Sequence, residues 1–262
     1  MPAGPPLGAA VSIHRSWRAP QYAFPSLHRK SVHSARTMEP VKLTCIEWIL
    51  LLTATAAGAV DVISFAMLGG VFASAMTGNF ALLAYYLAQG NAPSAMGSVV
   101  ALTGFVVGCA IGVLQRRGRG ARHALTLLLA SETGLLLFFG FYALGTPHLP
   151  HSPFDHLQIL LLAVAMGLQA VIGQTISLTT IVFTTTLTKL VETIADSIAN
   201  GDTLGLKDIK IQSAVVVSYL FGALLAGALI VHRFIAVVML PCVAVAAALA
   251  VHYLSGRDAE PH

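Results

Sequence analysis

Long apolar stretches dominate this sequence, and they constrain the fold more than any other feature. Hydrophobic residues make up 56% of the 262 positions and charged residues only 10%, whereas a soluble domain carries roughly 25% charged residues. Apolar windows of about 17 to 25 residues, long enough to cross a hydrocarbon core of about 30 Å, recur along the chain. We therefore predict an all-α fold, a polytopic membrane helix bundle, and do not expect a water-soluble globule.

Six windows are predicted to be spanning helices, and two further segments are shorter or more polar. The six windows are Trp48–Leu68, Ser94–Leu114, Ala124–Leu144, Leu157–Leu178, Ile211–Val231 and Phe234–Leu254. The other two segments, Val71–Ala88 and Thr180–Ala199, lie beside Gly or Thr clusters. We predict that both are re-entrant or half-helical.

The positions of Lys and Arg favour six spans over eight. With eight crossings, the basic amino-terminal tail and the loop from Arg116 to Arg122 would lie on opposite sides, against the tendency of basic residues to stay inside. With six crossings, the tail, that loop, Lys207, Lys210 and Arg257 all lie inside, and only Arg233 lies outside. The protein is therefore predicted to be a multi-pass protein of the cytoplasmic (inner) membrane, with a cytoplasmic amino terminus.

Composition also predicts the organisation of the chain. The first 37 residues are basic, rich in Pro and Ser and free of acids, and they lack the apolar core of a signal peptide. We interpret them as part of a disordered tail, with Met38 as an alternative start and an organellar transit peptide as the less favoured reading. The predicted segments are the tail at 1–40, two membrane halves at 41–145 and 146–256, and a short polar tail at 257–262.

The two halves resemble each other weakly. Gly58, Asp61 and the run Thr77-Gly78-Asn79 have an echo at an offset of roughly 107 to 109 positions, in Gly167, Gln169 and Thr184-Thr185-Thr186. Such repeats are typical of transporter folds, although they also arise by chance between apolar helices. Three spans in each half would make the repeat an inverted one, with two broken segments meeting near the middle of the bilayer.

Asp61, deep in the first predicted span, is the leading candidate for a functional residue. A carboxylate in a lipid interior costs several kcal/mol unless it faces protein or a cavity, and no basic residue lies in the same span. One hypothesis is that Asp61 carries a proton or a cation. The alternative is a protonated acid that hydrogen-bonds a neighbouring helix and only holds the bundle together.

Further polar residues follow Asp61 after a Gly69-Gly70 break. Thr77, Gly78 and Asn79 supply a hydroxyl, an unhindered peptide and an amide, which suit hydrogen bonding or coordination. The alternative is a helix kink in which glycine only allows close packing. The predicted substrate- or ion-binding residues are Asp61, Thr77, Gly78, Asn79, Gln169, Thr184, Thr185 and Thr186.

Two other polar features are candidates for gating. Helical spacing would put Thr185, Lys189, Glu192 and Asp196 on one stripe, which either lines a path or is the wet face of an interfacial helix. Glu132 lies well inside the third predicted span and needs a partner there. It either joins the polar site or contacts a loop arginine such as Arg122.

Small residues recur at intervals of four in one helix of each half. Gly104, Gly108 and Gly112 form one track, and Ser218, Gly222 and Ala226 form the other. Such tracks let helix backbones approach closely. We expect the two helices to pack against each other or against a second copy of the chain, as in a homo-oligomer.

Other classes of function find little support. His148, His151 and His156 near Asp155 do not follow a recognised zinc spacing, and a solvated loop is the favoured interpretation. No nucleophile elbow, phosphate loop, HExxH helix or dinucleotide fingerprint is present. We therefore predict no enzyme activity, no metal and no cofactor, with the lipid bilayer as a partner and no nucleic acid.

The motifs of the first half resemble a known family. The runs Ala57–Phe65 (AGAVDVISF), Leu68–Phe72 (LGGVF) and Met76–Asn79 (MTGN) are similar to the signature of the YoaK-like family of uncharacterised bacterial membrane proteins. Its second-half pattern, Met-Gly-Leu-Gln and then Thr-Gly-Thr-Leu, resembles Met166–Gln169 and Thr184–Leu187, with a β-branched threonine where glycine is expected. The resemblance implies six spans in the inner membrane and names no substrate.

These observations lead to one functional expectation and one alternative. The expectation is a transporter or channel-like protein for a small solute or ion, with an intramembrane polar site around Asp61. The alternative is a non-transporting membrane scaffold or sensor whose polar motifs only hold helices together.

Overall fold

The fold is known from a computed structural model. It describes residues 44–145, 153–176, 187–188, 190–195 and 206–257. All regular structure in these ranges is helical, and no strand occurs in them. The predicted all-α bundle is confirmed.

Seven α-helices and one short 3-10 helix have defined bounds. They are α1 (Cys45–Met67), α2 (Met76–Ala88), α3 (Ala92–Arg116), α4 (Ala121–Gly145), α5 (Pro153–Thr175), α6 (Leu206–Val231), the 3-10 helix (Ile235–Met239) and α7 (Leu240–Arg257). Residues 187–188 and 190–195 are helical as well. Six described segments are long and apolar enough to span a membrane, which confirms the predicted number: Cys45–Met67, Ala92–Arg116, Ala121–Gly145, Asp155–Thr175, Ile209–Val231 and Ile235–Ser255.

Local sequence explains several helix ends. Thr44 and Glu47 form a capping box at the start of α1, in which each side chain binds the backbone N–H of the other. The last predicted span begins as the 3-10 helix and becomes α-helical at Leu240, one residue before Pro241. Because proline has no N–H, the first turn of a helix is where it fits without losing a hydrogen bond.

The segment after α1 turns back instead of crossing. Gly69 and Gly70 have positive φ angles of 88° and 78°, which glycine adopts without steric cost. The following α2 has 13 residues, so at about 20 Å it is too short for the hydrocarbon core. A Cβ on Gly70 would lie 3.7 Å from the Tyr86 hydroxyl, which puts the last turn of α2 beside the end of α1. The first ambiguous segment is therefore re-entrant, as predicted.

Glycines bring the backbones of two helix pairs into direct contact. A Cβ on Gly58 in α1 would overlap the carbonyl oxygen of Tyr219 in α6, and one on Gly222 would overlap that of Thr55. Further along the same pair, a Cβ on Gly227 would meet Val62, so the two helices run parallel.

The second pair repeats this geometry between α3 and α5. A Cβ on Gly108 would overlap the carbonyl oxygen of Val164, and one on Gly167 would overlap that of Phe105. The flanking contacts, Gly104 with Leu160 and Gly112 with Val171, show that α3 and α5 are also parallel. Each half therefore packs its first spanning helix on the second spanning helix of the other half.

These matched contacts establish the repeat and its direction. In α1 the contact positions are Thr55 and Gly58, and in α5 they are Val164 and Gly167. The spacing is the same in both helices, so α1 is the structural counterpart of α5. Near the end of α5, the Gln169 side chain donates a hydrogen bond to the carbonyl oxygen of Thr53, which lies nearer the start of α1, at 2.7 Å. Because α1 and α5 run in opposite directions, the repeat is inverted, as predicted.

The partner predicted for the glycine tracks is wrong. Gly104, Gly108 and Gly112 face α5, and Gly222 faces α1, so the two tracks do not pack against each other. The inverted repeat explains the difference, since it places each track against the first helix of the other half.

Basic residues gather at one end of the bundle. The helix directions place the start of α1, the end of α3 and the starts of α4 and α6 at the same end. That end carries Arg116, Arg117, Arg119, Arg122 and Lys210, with Lys207 and Arg257 also in its terminal helix turns. Arg233 lies at the other end. The assignment of the basic end to the cytoplasm stays a prediction.

Accessibility labelling tests the re-entrant topology. In a background without the three native cysteines, Gln89→Cys and His232→Cys should react with an impermeant thiol reagent from one side and Gly120→Cys from the other. All three positions are exposed, and a side chain at Gly120 meets open space. A full crossing by α2 would also put positions 89 and 120 on opposite sides, so the deciding comparison is between Thr44→Cys, exposed at the start of α1, and Gly120→Cys. Labelling of these two positions from opposite sides would contradict the re-entrant topology.

The backbone contacts predict a strong position dependence for glycine substitutions. Gly58→Ala and Gly167→Ala should each lower the free energy of unfolding by about 1–3 kcal/mol or more, because the added methyl overlaps backbone atoms. The matched control is Gly134→Ala in α4, where a Cβ meets no atom within 4 Å. Since alanine is the better helix former, the control should be neutral or stabilising by up to about 1 kcal/mol. Unfolding in detergent measures all three, and equal losses would refute the packing.

Candidate functional site

Asp61 is the centre of a hydrogen-bond cluster that joins three elements. Its side chain is 3% exposed and lies toward the end of α1. Oδ1 accepts a hydrogen bond from the backbone N–H of Ser74 at 2.9 Å, and Oδ2 accepts from the Ser74 hydroxyl and from the Tyr219 hydroxyl, the latter at 2.8 Å. Both oxygens are therefore satisfied by protein groups. The carboxyl group is sheltered from lipid and links α1 to the re-entrant segment and to α6 of the other half.

Asn79 holds the same re-entrant segment from the other side. It is fully buried in the first turns of α2. Its Oδ1 accepts from the backbone N–H of Phe72 at 3.0 Å, and its Nδ2 donates to the carbonyl oxygen of Phe72. Since this residue lies two positions before Ser74, Asp61 and Asn79 bind neighbouring parts of one short loop. The sequence prediction that both belong to one sheltered site agrees with these positions.

The Phe72 side chain also fixes the loop. Its ring stacks on Phe65 of α1 with 5.0 Å between centroids. A Cβ on Gly78 would lie 3.2 Å from the Phe72 ring, so the absence of a side chain there makes room for the aromatic group. The structure thus gives Gly78 a packing role. Thr77, one residue earlier, is exposed on α2 and is not brought to Asp61.

Gln169 lies outside the Asp61 cluster. It contacts Thr53, which is eight residues before Asp61 on α1, or about 12 Å along the axis. In the described part of the chain, Gln169 Oε1 has no hydrogen-bond partner. The sequence comparison aligns Asp61 with Gln169, and this alignment is wrong by one residue. The matched contacts of Gly58 and Gly167 align Asp61 with Ala170.

The same alignment pairs Tyr219 with Phe105. The hydrogen-bonded Asp61 and Tyr219 therefore correspond to Ala170 and Phe105 in the other helix pair, which have no ionisable group. The repeat preserves backbone packing and loses the polar pair. Of the two described helix pairs, only α1 and α6 carry this polar pair, so their packing is chemically asymmetric around the pseudo-twofold axis.

Glu132 is buried without a partner. Its side chain is 0% exposed, and neither carboxylate oxygen has a hydrogen-bond partner among the residues that the structure describes. The proposed contact with Arg122 is wrong, because the arginine is exposed at the start of α4, ten residues or about 15 Å away along the helix.

Most of the remaining candidate residues lie outside the part of the chain that the structure describes. Glu192 is exposed on the helical stretch 190–195. Thr184, Thr185, Thr186, Lys189 and Asp196 lie outside the described residues, as do His148 and His151. The predicted stripe and the second-half part of the binding site therefore stay predictions.

Sequence reasoning missed two members of the cluster. Ser74 lies in the loop between the Gly69-Gly70 turn and α2, where a single serine carries no pattern. Tyr219 lies in α6 and aligns with Phe105 of α3. Its hydroxyl is the one polar group of that aligned pair. The sequence already aligns Phe105–Gly108 with Tyr219–Gly222, and the added hydroxyl of Tyr219 is the signal that could have identified it.

A cavity of about 590 Å³ opens at the basic end of the bundle, away from the Asp61 cluster. It lies where α1 and α4 begin and α5 and α7 end. Apolar side chains such as Ile49 and Leu125 line it together with Arg122, Thr175 and His252. The volume falls in the range of small-molecule pockets, about 300–1,000 Å³.

The hydrogen bonds of Asp61 predict a measurable coupling. Tyr219→Phe should lower the free energy of unfolding by about 1 kcal/mol, the scale of one interhelical hydrogen bond in a membrane protein. Asp61→Asn should cost about 1–3 kcal/mol, since it disturbs three donors at once. The double variant should lose less than the sum, which a double-mutant cycle in detergent measures. Tyr85→Phe, at a side chain 58% exposed, is the control and should change stability by less than about 0.5 kcal/mol. Strict additivity would contradict the bond.

Comparisons with known proteins agree with the fold. Residues 49–252 match a family described as a protein of unknown function, DUF1275. The UPF0700 transmembrane protein YoaK of Bacillus subtilis (strain 168) is 29% identical over 186 residues, which cover 68% of this chain and 80% of that protein. No solved structure matches. The resemblance to YoaK-like proteins is confirmed, and the chain belongs to the DUF1275 family of membrane proteins.

Proposed function

We propose that this protein transports a small solute or ion by relative movement of its two inverted halves. The observation that carries the proposal is the inverted repeat itself, with a buried acid where the halves meet. Inverted repeats around discontinuous helices are the architecture of many secondary transporters. Here Asp61 binds both the re-entrant loop of its own half and Tyr219 of the other half.

The distribution of open and closed regions supports this proposal. One end of the bundle holds the cavity beside Arg122 and His252, while toward the other end Asp61 and Asn79 bind the re-entrant loop. Such a form, open to one side, is what alternating access requires of a transporter at rest. Opening the other side would move the loop, and the bonds from Ser74 and Tyr219 are then the ones that break.

The chemistry of the cluster suggests what Asp61 does in the cycle. In the described form three donors bind its oxygens and the side chain is buried, so the carboxylate is shielded from a solute. Once the halves separate, the carboxylate would be exposed to water in the opened path and could bind a cation or the donor groups of a solute. The donors of Ser74 and Tyr219 compete with that ligand, which makes binding and closure mutually exclusive.

The wider setting is part of the same proposal. It places the chain in the cytoplasmic membrane with its basic end and amino terminus inside, following the positive-inside tendency. It includes no enzyme activity, cofactor or nucleic acid, and it keeps the homo-oligomer as the predicted assembly.

One observation favours the second candidate, a membrane scaffold or sensor. The polar atoms of the Asp61 and Asn79 side chains bind protein groups within the chain, as those of a purely structural clamp would. Under this alternative the cluster fixes one conformation, and no solute moves.

Flux measurements separate the two candidates. Solutes and ions that raise the melting temperature of the purified protein are loaded into proteoliposomes, because a ligand of the folded state stabilises it by mass action. Asp61→Asn should reduce flux by about tenfold or more, equivalent to about 1.4 kcal/mol in a barrier, while Tyr85→Phe leaves it unchanged. Normal flux in a folded Asp61→Asn protein would refute the role of Asp61. Absence of flux for every stabilising compound would favour the scaffold.

A further inference from the structure

Glu132 is the one acid in the middle of the described core that the transport proposal does not use. It lies near the centre of α4, on the buried stripe formed by Leu128, Leu129 and Leu136. Its side chain is 0% exposed, and neither Oε1 nor Oε2 has a hydrogen-bond partner in the described ranges. A carboxylate with these surroundings carries a large desolvation cost and recovers none of it.

Charged groups on the neighbouring elements do not offset that cost. The described elements packed against α4 are α3, α5, α7 and the 3-10 helix. Their titratable or charged residues are Cys109, Arg116, Asp155, His156, Cys242, His252, Tyr253 and Arg257. Two of these bind α4 itself: the Cys242 thiol donates to the carbonyl oxygen of Thr133, and His252 shares a hydrogen bond with the Thr126 hydroxyl. Arg116, Asp155 and His156 lie in terminal turns, about 15–20 Å along the helix axes from the level of Glu132.

The internal repeat shows that packing does not require an acid here. Helix α7 follows α6 as α4 follows α3, so it is the counterpart of α4. From Val243 to Val251 it contains only valine, alanine and leucine. Apolar side chains therefore fill the corresponding region of the second half. Packing does not require Glu132, and its burial lowers the stability of the fold, which points to a functional role.

The surroundings also select the ligand. A metal cation needs several ligands arranged around it, and among the described residues no group of three or more His, Cys, Asp or Glu side chains is placed to hold one. A proton needs no other ligand, and it removes the charge that makes the burial costly. We infer that Glu132 is a proton-binding site, neutral in this conformation, that releases its proton when the core around α4 opens.

The cavity gives this proton a direction of exchange. Arg122 and Leu125 line the cavity on the first turns of α4, and Glu132 lies seven residues beyond Leu125, or about 10 Å deeper. This cavity therefore lies on the side of Glu132 that faces the basic end of the bundle. Resting on the proposed transport function, this inference makes the transport proton-coupled, with loading and release of the proton at that end.

Infrared spectroscopy of the full chain in liposomes tests the site without any transported solute. The wild type should show the C=O stretching band of a protonated carboxylic acid at neutral pH. Glu132→Gln should remove this band, and Asp61→Asn should retain it. Absence of the band in the wild type, or its loss in Asp61→Asn with retention in Glu132→Gln, would overturn the inference. Glu132→Leu, which extends the leucine stripe, should also lack the band and should fold, because the side chain it replaces has no partner to lose.

A second measurement distinguishes a proton from a metal cation. Dicyclohexylcarbodiimide, an apolar reagent for protonated carboxylic acids, is applied to the reconstituted protein, and modified peptides are identified by mass spectrometry. Modification at position 132 should fall about tenfold for each pH unit above the point where the group begins to lose its proton, by mass action. Sodium or potassium should not protect. Protection by either ion would overturn the assignment of the proton as ligand.

The outcomes separate this inference from the transport proposal. A protonated band that depends on Glu132, in a protein that moves no stabilising compound, would leave the proton site standing and reject transport. Flux that is retained in Glu132→Gln, with an unchanged response to a pH gradient, would reject the coupling and keep transport.

Discussion

Close contact between helix backbones is the constraint on which the rest of this structure depends. Lipid chains are as apolar as leucine, so burial alone gives helices in a bilayer little reason to associate. Gly58 and Gly222 in one pair, and Gly108 and Gly167 in the other, let the helices meet through peptide atoms. Because each pair joins helices of different halves, the contact also holds the inverted repeat together. The contacts of Gly58 and Gly222 also set the level at which Asp61 faces Tyr219.

The repeat is symmetric in packing and asymmetric in polar chemistry. Asp61 and Tyr219 correspond to Ala170 and Phe105, and the acid-bearing α4 corresponds to an apolar α7. Both buried acids that lie away from the helix ends in the described residues, Asp61 and Glu132, belong to the first half, whereas the buried Glu47 and Asp155 lie in first helix turns. Asp61 has hydrogen bonds to both carboxylate oxygens and joins the re-entrant loop to α6, while Glu132 is without a described partner inside the core. These opposite surroundings suit the two roles that we propose, holding a conformation for Asp61 and exchanging a proton for Glu132.

Sequence patterns predicted those site residues whose burial in a membrane has a high free-energy cost. Asp61 and Asn79 were identified because buried polar groups are expensive in lipid, and both lie in the sheltered loop region. The sequence pattern could not tell that Thr77 is exposed while Asn79, two positions further along α2, is buried. It also aligned Gln169 with Asp61, since a one-residue error is invisible without contacts. Ser74 and Tyr219 were missed because their roles depend on elements distant in the chain.

The sequence by itself determined six spans, a first re-entrant segment and the gathering of basic residues at one end. These follow from hydrocarbon thickness, glycine conformations and charge, which act on each segment separately. Only the tertiary structure decided which helices touch, that the glycine tracks cross between halves, and which donors reach Asp61. Those properties depend on the relative level of two helices, where a shift of one residue moves a side chain to a different face.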